Sequence, residues 1–187
     1  MLELLIGAYF DTASPLRSDL EHAVVFEPCT GTGILAAAVL RMGAERVLCT
    51  EIDPASARCT HQNVTSWELH GRVALIPPDT FPNALQANMC LTNPPWFGEA
   101  RRLGDRPPNH CLRCLCDPEH RLLRKMLETM RTRMSLGSPF YVFVGEEDPF
   151  DAQFRVVTSC RIMPDAYRWR ITHRWNGYRN IKLYRLE

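Results

Sequence analysis

The chain has 187 residues, of which 45% are hydrophobic and 23% charged, and a formal net charge of +1. That is about one domain's worth of chain with enough apolar residues for one core, which excludes a disordered or collagen-like sequence. No apolar run approaches a membrane span in length, and residues 1–10, with Glu3 and no basic flank, do not resemble a secretory signal.

Strand and helix signals alternate along the chain, the pattern of an α/β domain with a parallel sheet. A first strand is predicted over residues 23–26, ending at Glu27, and a helix of good formers over 34–42, stopped by Gly43. A second strand covers 46–50 and ends at Glu51. Asp53-Pro54 then places an N-cap ahead of a proline at the first helical position and opens a helix to about Asn63. A third strand covers 72–76 and stops at Pro77-Pro78, with Asp79 following. A fourth covers 89–92 and ends at Asn93. A long loop runs to about Cys116, and Asp117-Pro118 repeats the cap-plus-proline signal for a helix to about Met134. A fifth strand is predicted over 140–144. In the tail, residues 167–175 and 178–186 alternate around Asn176-Gly177, a strong hairpin signal. The expected fold is therefore a Rossmann-like three-layer sandwich. Its seven-stranded sheet is mostly parallel and closed by a C-terminal antiparallel hairpin, with residues 1–187 forming a single domain.

Four groups of residues carry chemistry, all at strand carboxyl ends, where open α/β sheets bind ligands. Glu27-Pro28-Cys29-Thr30-Gly31-Thr32-Gly33 is a glycine-rich turn that lets the backbone approach a ligand closely. It lacks the dinucleotide fingerprint, since Cys29 and Ala36 stand where its first and third glycines would be, which argues against a nicotinamide enzyme. Glu51 can accept hydrogen bonds from both ribose hydroxyls of a nucleoside, or simply cap the next helix. Asp79 can accept from an adenine amino group, or serve only as a turn residue after two prolines. Asn93-Pro94-Pro95-Trp96-Phe97 is the most informative. Two prolines stiffen the loop and leave carbonyls free to accept. The asparagine oxygen with a proline carbonyl can grip an N–H₂ group, and the aromatic can stack on a flat substrate.

These residues resemble the class I S-adenosylmethionine (SAM)-dependent methyltransferases over roughly residues 20–187. Asn93-Pro94-Pro95-Trp96 is similar to the [N/D]-P-P-[Y/F/W] signature of the nitrogen-methylating branch. That branch includes adenine amino-group methyltransferases of DNA and RNA, and release-factor glutamine methyltransferases. The resemblance implies SAM as cofactor. It places Glu27, Gly31 and Gly33 around the methionine end, Glu51 at the ribose and Asp79 at the adenine, with Cys29, Thr30 and Ile52 also among the cofactor-binding residues. It also implies that Asn93, Pro94, Pro95 and Trp96 form the catalytic turn, with Asn93 touching cofactor as well. Cys29 departs from the family's first glycine. The chain also lacks the target-recognition domain of many DNA enzymes and has little sequence before the first strand, so an activating partner subunit is a natural expectation. The segment 9–14 is a candidate for part of the pocket rim.

Charge is uneven. Residues 1–100 carry 5 basic and 11 acidic residues, and residues 101–187 carry 17 and 10. A basic second half suits a polyanion. Arg101, Arg102 and Arg106 follow the Asn93 motif closely, so Phe97, Arg101 and Arg102 are read as substrate-binding. The expected activity is methyl transfer to a planar nitrogen, with adenine in RNA (or DNA) the leading substrate. A protein glutamine amide and a non-catalytic binding subunit of the same fold are the alternatives. The expected location is intracellular and cytoplasmic, with mitochondrial or nuclear left open. Cys111, Cys114 and Cys116 with His110 or His120 have a partial zinc spacing but lack a second C-x₂-C pair, so no metal is assigned. His61 and His70 read as surface residues, and no histidine is assigned to catalysis.

Overall fold

The computed structural model describes residues 1–83, 86–95, 117, 121–134, 138–144, 154–161 and 180–186. Five strands run parallel: β1 (Val24–Pro28), β2 (Arg46–Thr50), β3 (Val73–Leu75), β4 (Met89–Thr92) and β5 (Phe140–Val144). Two more, β6 (Phe154–Arg161) and β7 (Asn180–Leu186), extend the sheet antiparallel, giving the order β3-β2-β1-β4-β5-β7-β6.

The strands alternate two apolar faces, as a period of two requires. Val25, Val47, Met89, Leu91, Tyr141 and Phe143 belong to one buried cluster. It is completed by Leu35 and Val39 of α3 (Ile34–Arg41) and Val64 of α4 (Pro54–Ser66). Phe26, Leu48, Cys90, Phe140 and Val142 face the other way, against Leu123, Met130 and Met134 on or just beyond α5 (Arg121–Arg133). The molecule is thus a sheet between two helical layers. Cys49 and Cys90 are fully buried in their strands, where a thiol packs as a small apolar group.

Local chemistry sets the helix ends. Asp53 caps α4 by accepting from the Ser56 N–H at 2.8 Å, with Pro54 at the first helical position. Asp117 accepts from the N–H groups of Leu122 and Leu123 at 2.8 and 3.0 Å, so it serves the N-terminal part of α5, as expected of a cap. α3 ends at Arg41, and Gly43 leaves it with φ of 115°.

The N-terminal stretch, to which the sequence reading assigns no element, forms α1 (Leu2–Phe10) and α2 (Leu16–Leu20). Leu4, Leu5, Ala8, Leu16 and Leu20 are buried in the core, with α1 packed over β6 and β7. Tyr141 Oη donates to Asp19 of α2 at 2.7 Å and Arg185 Nε donates to the same oxygen at 3.0 Å, tying this segment to β5 and β7. One expectation is corrected: both neighbours of β7 in the sheet, β5 and β6, are antiparallel to it and come from elsewhere in the chain than the expected partner over 167–175; that segment and Asn176-Gly177 lie outside the described residues. Among the described residues no helix is long and apolar enough to cross a membrane.

Candidate active site

Strand order reverses between β1 and β4. β1 pairs with β2 on one side and with β4 on the other. α3 follows β1 onto one face, while α5, the next described helix after β4, covers the opposite face. The two chain paths diverge at the strand tips and leave a crevice, the position where doubly wound sheets take ligands. A cavity of about 190 Å³ lies there, with Cys29 and Gly31 beyond β1, Glu51 and Ile52 beyond β2, Asp79 beyond β3, and Asn93 and Pro95 beyond β4 on its wall. The tips of four parallel strands therefore meet around one space.

The backbone of the glycine turn is held from several sides. The Thr30 N–H donates to the Thr50 carbonyl at 3.1 Å, the Gly31 N–H to Glu51 Oε2 at 2.8 Å, and the Gly33 N–H to the Thr30 carbonyl at 3.0 Å. From α4, the Thr60 hydroxyl donates to the Gly31 carbonyl at 2.7 Å and Asn63 Nδ2 to the Thr32 carbonyl at 2.9 Å. Gly31 and Gly33 both adopt left-handed backbone, φ 59° and 77°, but for different ends. A Cβ at Gly31 would meet nothing within 4 Å, so that position is open to the cavity. One at Gly33 would sit 3.0 Å from Thr60 Cγ2, so that glycine lets the turn pack on α4. Cys29 carries a side chain at φ 60°, in the region that favours glycine, and reaches the cavity wall.

Glu51 spends one lone pair of each oxygen within the chain: Oε2 on Gly31 and Oε1 on the Asp53 N–H at 2.9 Å. A carboxylate offers about four acceptor sites, so both oxygens keep capacity for a ligand. Ile52 beside it is 62% exposed, an apolar surface presented to the cavity. Asp79 is exposed with φ 65°, at the third position of a turn closed by the Thr80 N–H on the Pro77 carbonyl at 3.1 Å.

Glu27, Thr30, Gly33 and Pro94 are not on the cavity wall. Glu27 is 1% exposed beneath the turn. Burial pushes its carboxyl up to about 8, against weaker opposing effects of the nearby Thr30 hydroxyl, Cys49 thiol and Ala36 backbone. The Cys49 Sγ lies 3.8 Å from Oε2, and Oε1 makes no hydrogen bond. Burial likewise pushes the Cys49 and Cys90 thiols up, which keeps them protonated and inert.

The Asn93 turn is tied to the glycine turn through its neighbour. The buried Thr92 hydroxyl donates to the Pro28 carbonyl at 2.7 Å, fixing one strand tip against the other. Asn93 stands on the cavity wall with a buried Oδ1 that makes no hydrogen bond; Glu27 Oε1 and Thr30 Oγ1 are also buried without a partner, but neither residue lines the cavity. Trp96, Phe97, Arg101, Arg102 and Arg106, with His110, Cys111, Cys114, Cys116 and His120, lie outside the described residues. No residue of the segment 9–14 lines the cavity, so that rim expectation is corrected, and His61 and His70 are exposed.

The remaining wall comes from residues not singled out in the sequence. Phe81, packed edge-on to Phe26 at 5.8 Å between centroids, closes one side, and Leu122 and Met126 of α5 close another. Their i, i+4 spacing on the helix after the fourth strand is the one local signal that marks them. Thr60 and Asn63 have none, because their partners are 29 and 31 residues away.

Residues 16–93 match the family model for ribosomal protein L11 methyltransferase (PrmA). Ribosomal protein L11 methyltransferases of Photobacterium profundum and Acinetobacter baylyi are 32% and 35% identical to the chain over 75 and 72 residues. Those stretches are 40% and 38% of this chain but 26% and 24% of those proteins, so the chain spans about a quarter of the length of the curated relatives it matches. Among solved structures, a candidate RNA methyltransferase from Pyrococcus horikoshii aligns with a TM-score of 0.61 at 20% identity, covering 99% of this chain and 79% of that one. An RNA methyltransferase from Salinibacter ruber in complex with S-adenosyl-L-homocysteine aligns with a TM-score of 0.51 at 14% identity, covering 94% and 91%. The sequence match begins at α2 and stops at Asn93, and so takes in the glycine turn, Glu51 and Asp79. The chain has the fold of the SAM-dependent methyltransferases.

Proposed function

We propose that the chain, as a single domain over residues 1–187, is a SAM-dependent methyltransferase acting on a planar nitrogen, with the exocyclic amino group of adenine in RNA or DNA the leading target. The observation that carries the reading is the buried, unsatisfied Asn93 Oδ1 in the same cavity as Glu51 and Gly31. A buried acceptor without a donor costs about 1–3 kcal/mol, so a fold retains one where a ligand supplies the donor.

The donor set fits SAM. Among the described wall residues there is no Lys, Arg or His, while Glu51 and Asp79 are acidic. The Gly31 N–H, which would face a pyrophosphate in a dinucleotide enzyme, is already spent on a carboxylate. Such a wall suits a cation bearing hydroxyls and disfavours phosphates. Glu51 would accept from the ribose hydroxyls, Ile52 would cover the adenine face, Asp79 would accept from its amino group, and Cys29 and Gly31 would flank the methionine end. Glu27 and Thr30 would support that end from beneath.

When bound, SAM supplies an electrophilic methyl group on a sulfonium, so the hard chemistry is the cofactor's. The protein's task is alignment, and Thr92 and the two prolines hold the acceptors of the Asn93 turn at a fixed place relative to the glycine turn. An amide or aniline-like nitrogen is a poor nucleophile because its lone pair is conjugated. Asn93 Oδ1 and the Pro94 carbonyl would accept its two N–H bonds and stabilise positive charge as it grows on nitrogen, worth on the order of 3 kcal/mol per well-placed group. The Asn93 turn would hold the nitrogen in place while the methyl passes to it and the S–C electron pair stays with sulfur, and the proton then released by the methylated nitrogen would need no strong base of the chain. Trp96 and Phe97 would stack on the target, with Arg101 and Arg102 near its backbone.

A protein nitrogen is the second reading, favoured by the names of the relatives that match residues 16–93. That match ends at Asn93, before the chain that would contact substrate, so it speaks for the cofactor more than for the target. Incubation of the protein with tritiated SAM and total RNA, genomic DNA or ribosomal protein extract tests the choice. Label that co-elutes with an N-methylated adenine nucleoside after digestion of the RNA or DNA supports the leading reading; label in protein alone overturns it, and label in none of the three overturns both.

A further inference from the structure

We propose that Glu27 is the buried counter-charge of the cavity: it is neutral while the cavity is empty and gives its proton to solvent when a cation enters, so that the chain releases a proton as it takes up SAM. This deepens the reading of the cavity as a SAM site and rests on it.

Glu27 stands directly behind the cavity wall. The next two residues of the chain, Pro28 and Cys29, line the cavity, and its partner in register on β2 is Cys49, which the wall residues Thr50 and Glu51 follow. The groups that act on it come from every element packed around the tip of β1. They are the Thr30 hydroxyl of the glycine turn, the Cys49 thiol of β2, the Ala36 backbone of α3 and the Glu51 carboxylate. The Cys90 thiol of β4 feels Glu27 and Cys29 together. Burial keeps both strand thiols neutral, and Glu51 adds repulsion. Among the described residues no cation acts on Glu27, and both its Oε1 and the Thr30 Oγ1 are buried without a hydrogen bond. A buried carboxylate with so little to hold its charge stays protonated, which is why it titrates at about 8.

Packing does not explain an acid at this place. A glutamine has nearly the same shape and stays neutral at every pH, whereas the acid costs the fold stability as pH rises toward about 8. What the acid adds is a negative charge on demand. Across the turn lies a cavity whose described wall carries Glu51 and Asp79 and no Lys, Arg or His, so it is open to a cation. A cation there acts on Glu27 through protein rather than through water, and a nearby opposite charge favours the ionised form. The carboxyl O–H bond then breaks, its electron pair stays on oxygen, and the proton passes to solvent. SAM, with a sulfonium, an ammonium and one carboxylate, brings a net positive charge. A neutral nucleoside in the same cavity brings none.

The test is isothermal calorimetry of the full chain at about pH 7 in two buffers of different ionisation enthalpy, Pipes and Tris. The ligands are SAM and 5′-methylthioadenosine, a neutral thioether nucleoside without the sulfonium and the amino-acid end. The wild type is expected to release about one proton per SAM, read from the difference in heat between the buffers, and none with methylthioadenosine. Its SAM affinity should rise by up to about tenfold per pH unit between about pH 6 and 7.5, the linkage of one released proton. Glu27→Gln should bind SAM with no proton release and with an affinity flat over that range. SAM binding by the wild type with the same heat in both buffers would overturn the proposal, as would equal release with methylthioadenosine or from Glu27→Gln. Should Glu27→Gln fail to fold, the two ligands on the wild type decide the question alone. A wild type that binds neither ligand would sink the cofactor reading itself, whereas SAM binding without a proton sinks only the role of Glu27.

Discussion

The two turns that flank the crevice are built to opposite rules. In the glycine turn three backbone N–H groups and two carbonyls are taken by Thr50, Glu51, Thr30, Thr60 and Asn63, and the packing of Gly33 on Thr60 leaves no room for a single added carbon. In the Asn93 turn the backbone is stiffened by two prolines and by Thr92, but the half-buried Asn93 keeps a buried oxygen unsatisfied. On the side that meets the cavity the backbone of the first turn is satisfied, its unpaired Glu27 Oε1 and Thr30 Oγ1 lie off the wall, and it offers shape, open space at Gly31 and the spare lone pairs of Glu51. The second is incomplete without a donor. A site that binds one molecule for its shape and activates another through a hydrogen bond needs this division, because a saturated turn cannot respond to charge developing on a reacting atom.

The comparison can be broken most severely at Asn93. Asn93→Ala is expected to lower kcat by about 10²–10³, the usual cost of removing one preorganised partner of transition-state charge, while SAM affinity stays within about twofold. Steady-state methylation with calorimetry reads both, and equal losses of turnover and SAM affinity would merge the two turns into one. Gly33→Ala attacks the other side. The left-handed φ and the 3.0 Å approach to Thr60 should destabilise the protein by about 1–3 kcal/mol, lowering Tm by several degrees. Gly31→Ala, with no such contact, should cost less stability, so an equal loss in both would deny their different roles.

Glu27 sharpens the comparison from beneath, with the smallest effect. Its carboxyl stands at about 8 in the fold against 4.5 in the open chain, because burial disfavours the charge. Between these values the folded state holds a proton that the unfolded state has lost. Stability contributed here is full below pH 4.5 and falls as pH rises toward about 8. Glu27→Gln should flatten that part of a denaturation-versus-pH profile, and an unchanged profile would remove the buried acid from the account.

How much of this was legible in the sequence follows the range of the interactions. β1, β2 and β4 show as short apolar runs ending on a polar residue, and α4 shows through its Asp53-Pro54 start, because those signals are written within a few residues. The glycine turn, Glu51 and Asn93 were readable for the same reason. α1 was not, since LELLIGAYF has Gly7 inside it and no side-chain cap, and its helix is stabilised by burying Leu4, Leu5 and Ala8 under distant strands. β6 does not show in the sequence because its pairing with β7 is non-local and interrupted by a bulge between Val156 and Thr158, whereas the local signal at Asn176-Gly177 points to a different partner for β7. Thr60 and Asn63 look like any polar residues of an amphipathic helix until α4 is laid against the turn. Cys29 was recognised as a departure from glycine, and the structure adds that its backbone keeps the glycine-like conformation.

Titration of SAM into the wild-type chain and into Glu51→Ala, by isothermal calorimetry, goes to the centre of the account. One site is expected in the wild type, weakened at least about tenfold by the substitution, because about 1.4 kcal/mol is the least that losing a charge-assisted pair of hydrogen bonds should cost. No binding by the wild type, or equal affinity in both proteins, would mean that the crevice between β1 and β4 is not where the cofactor sits.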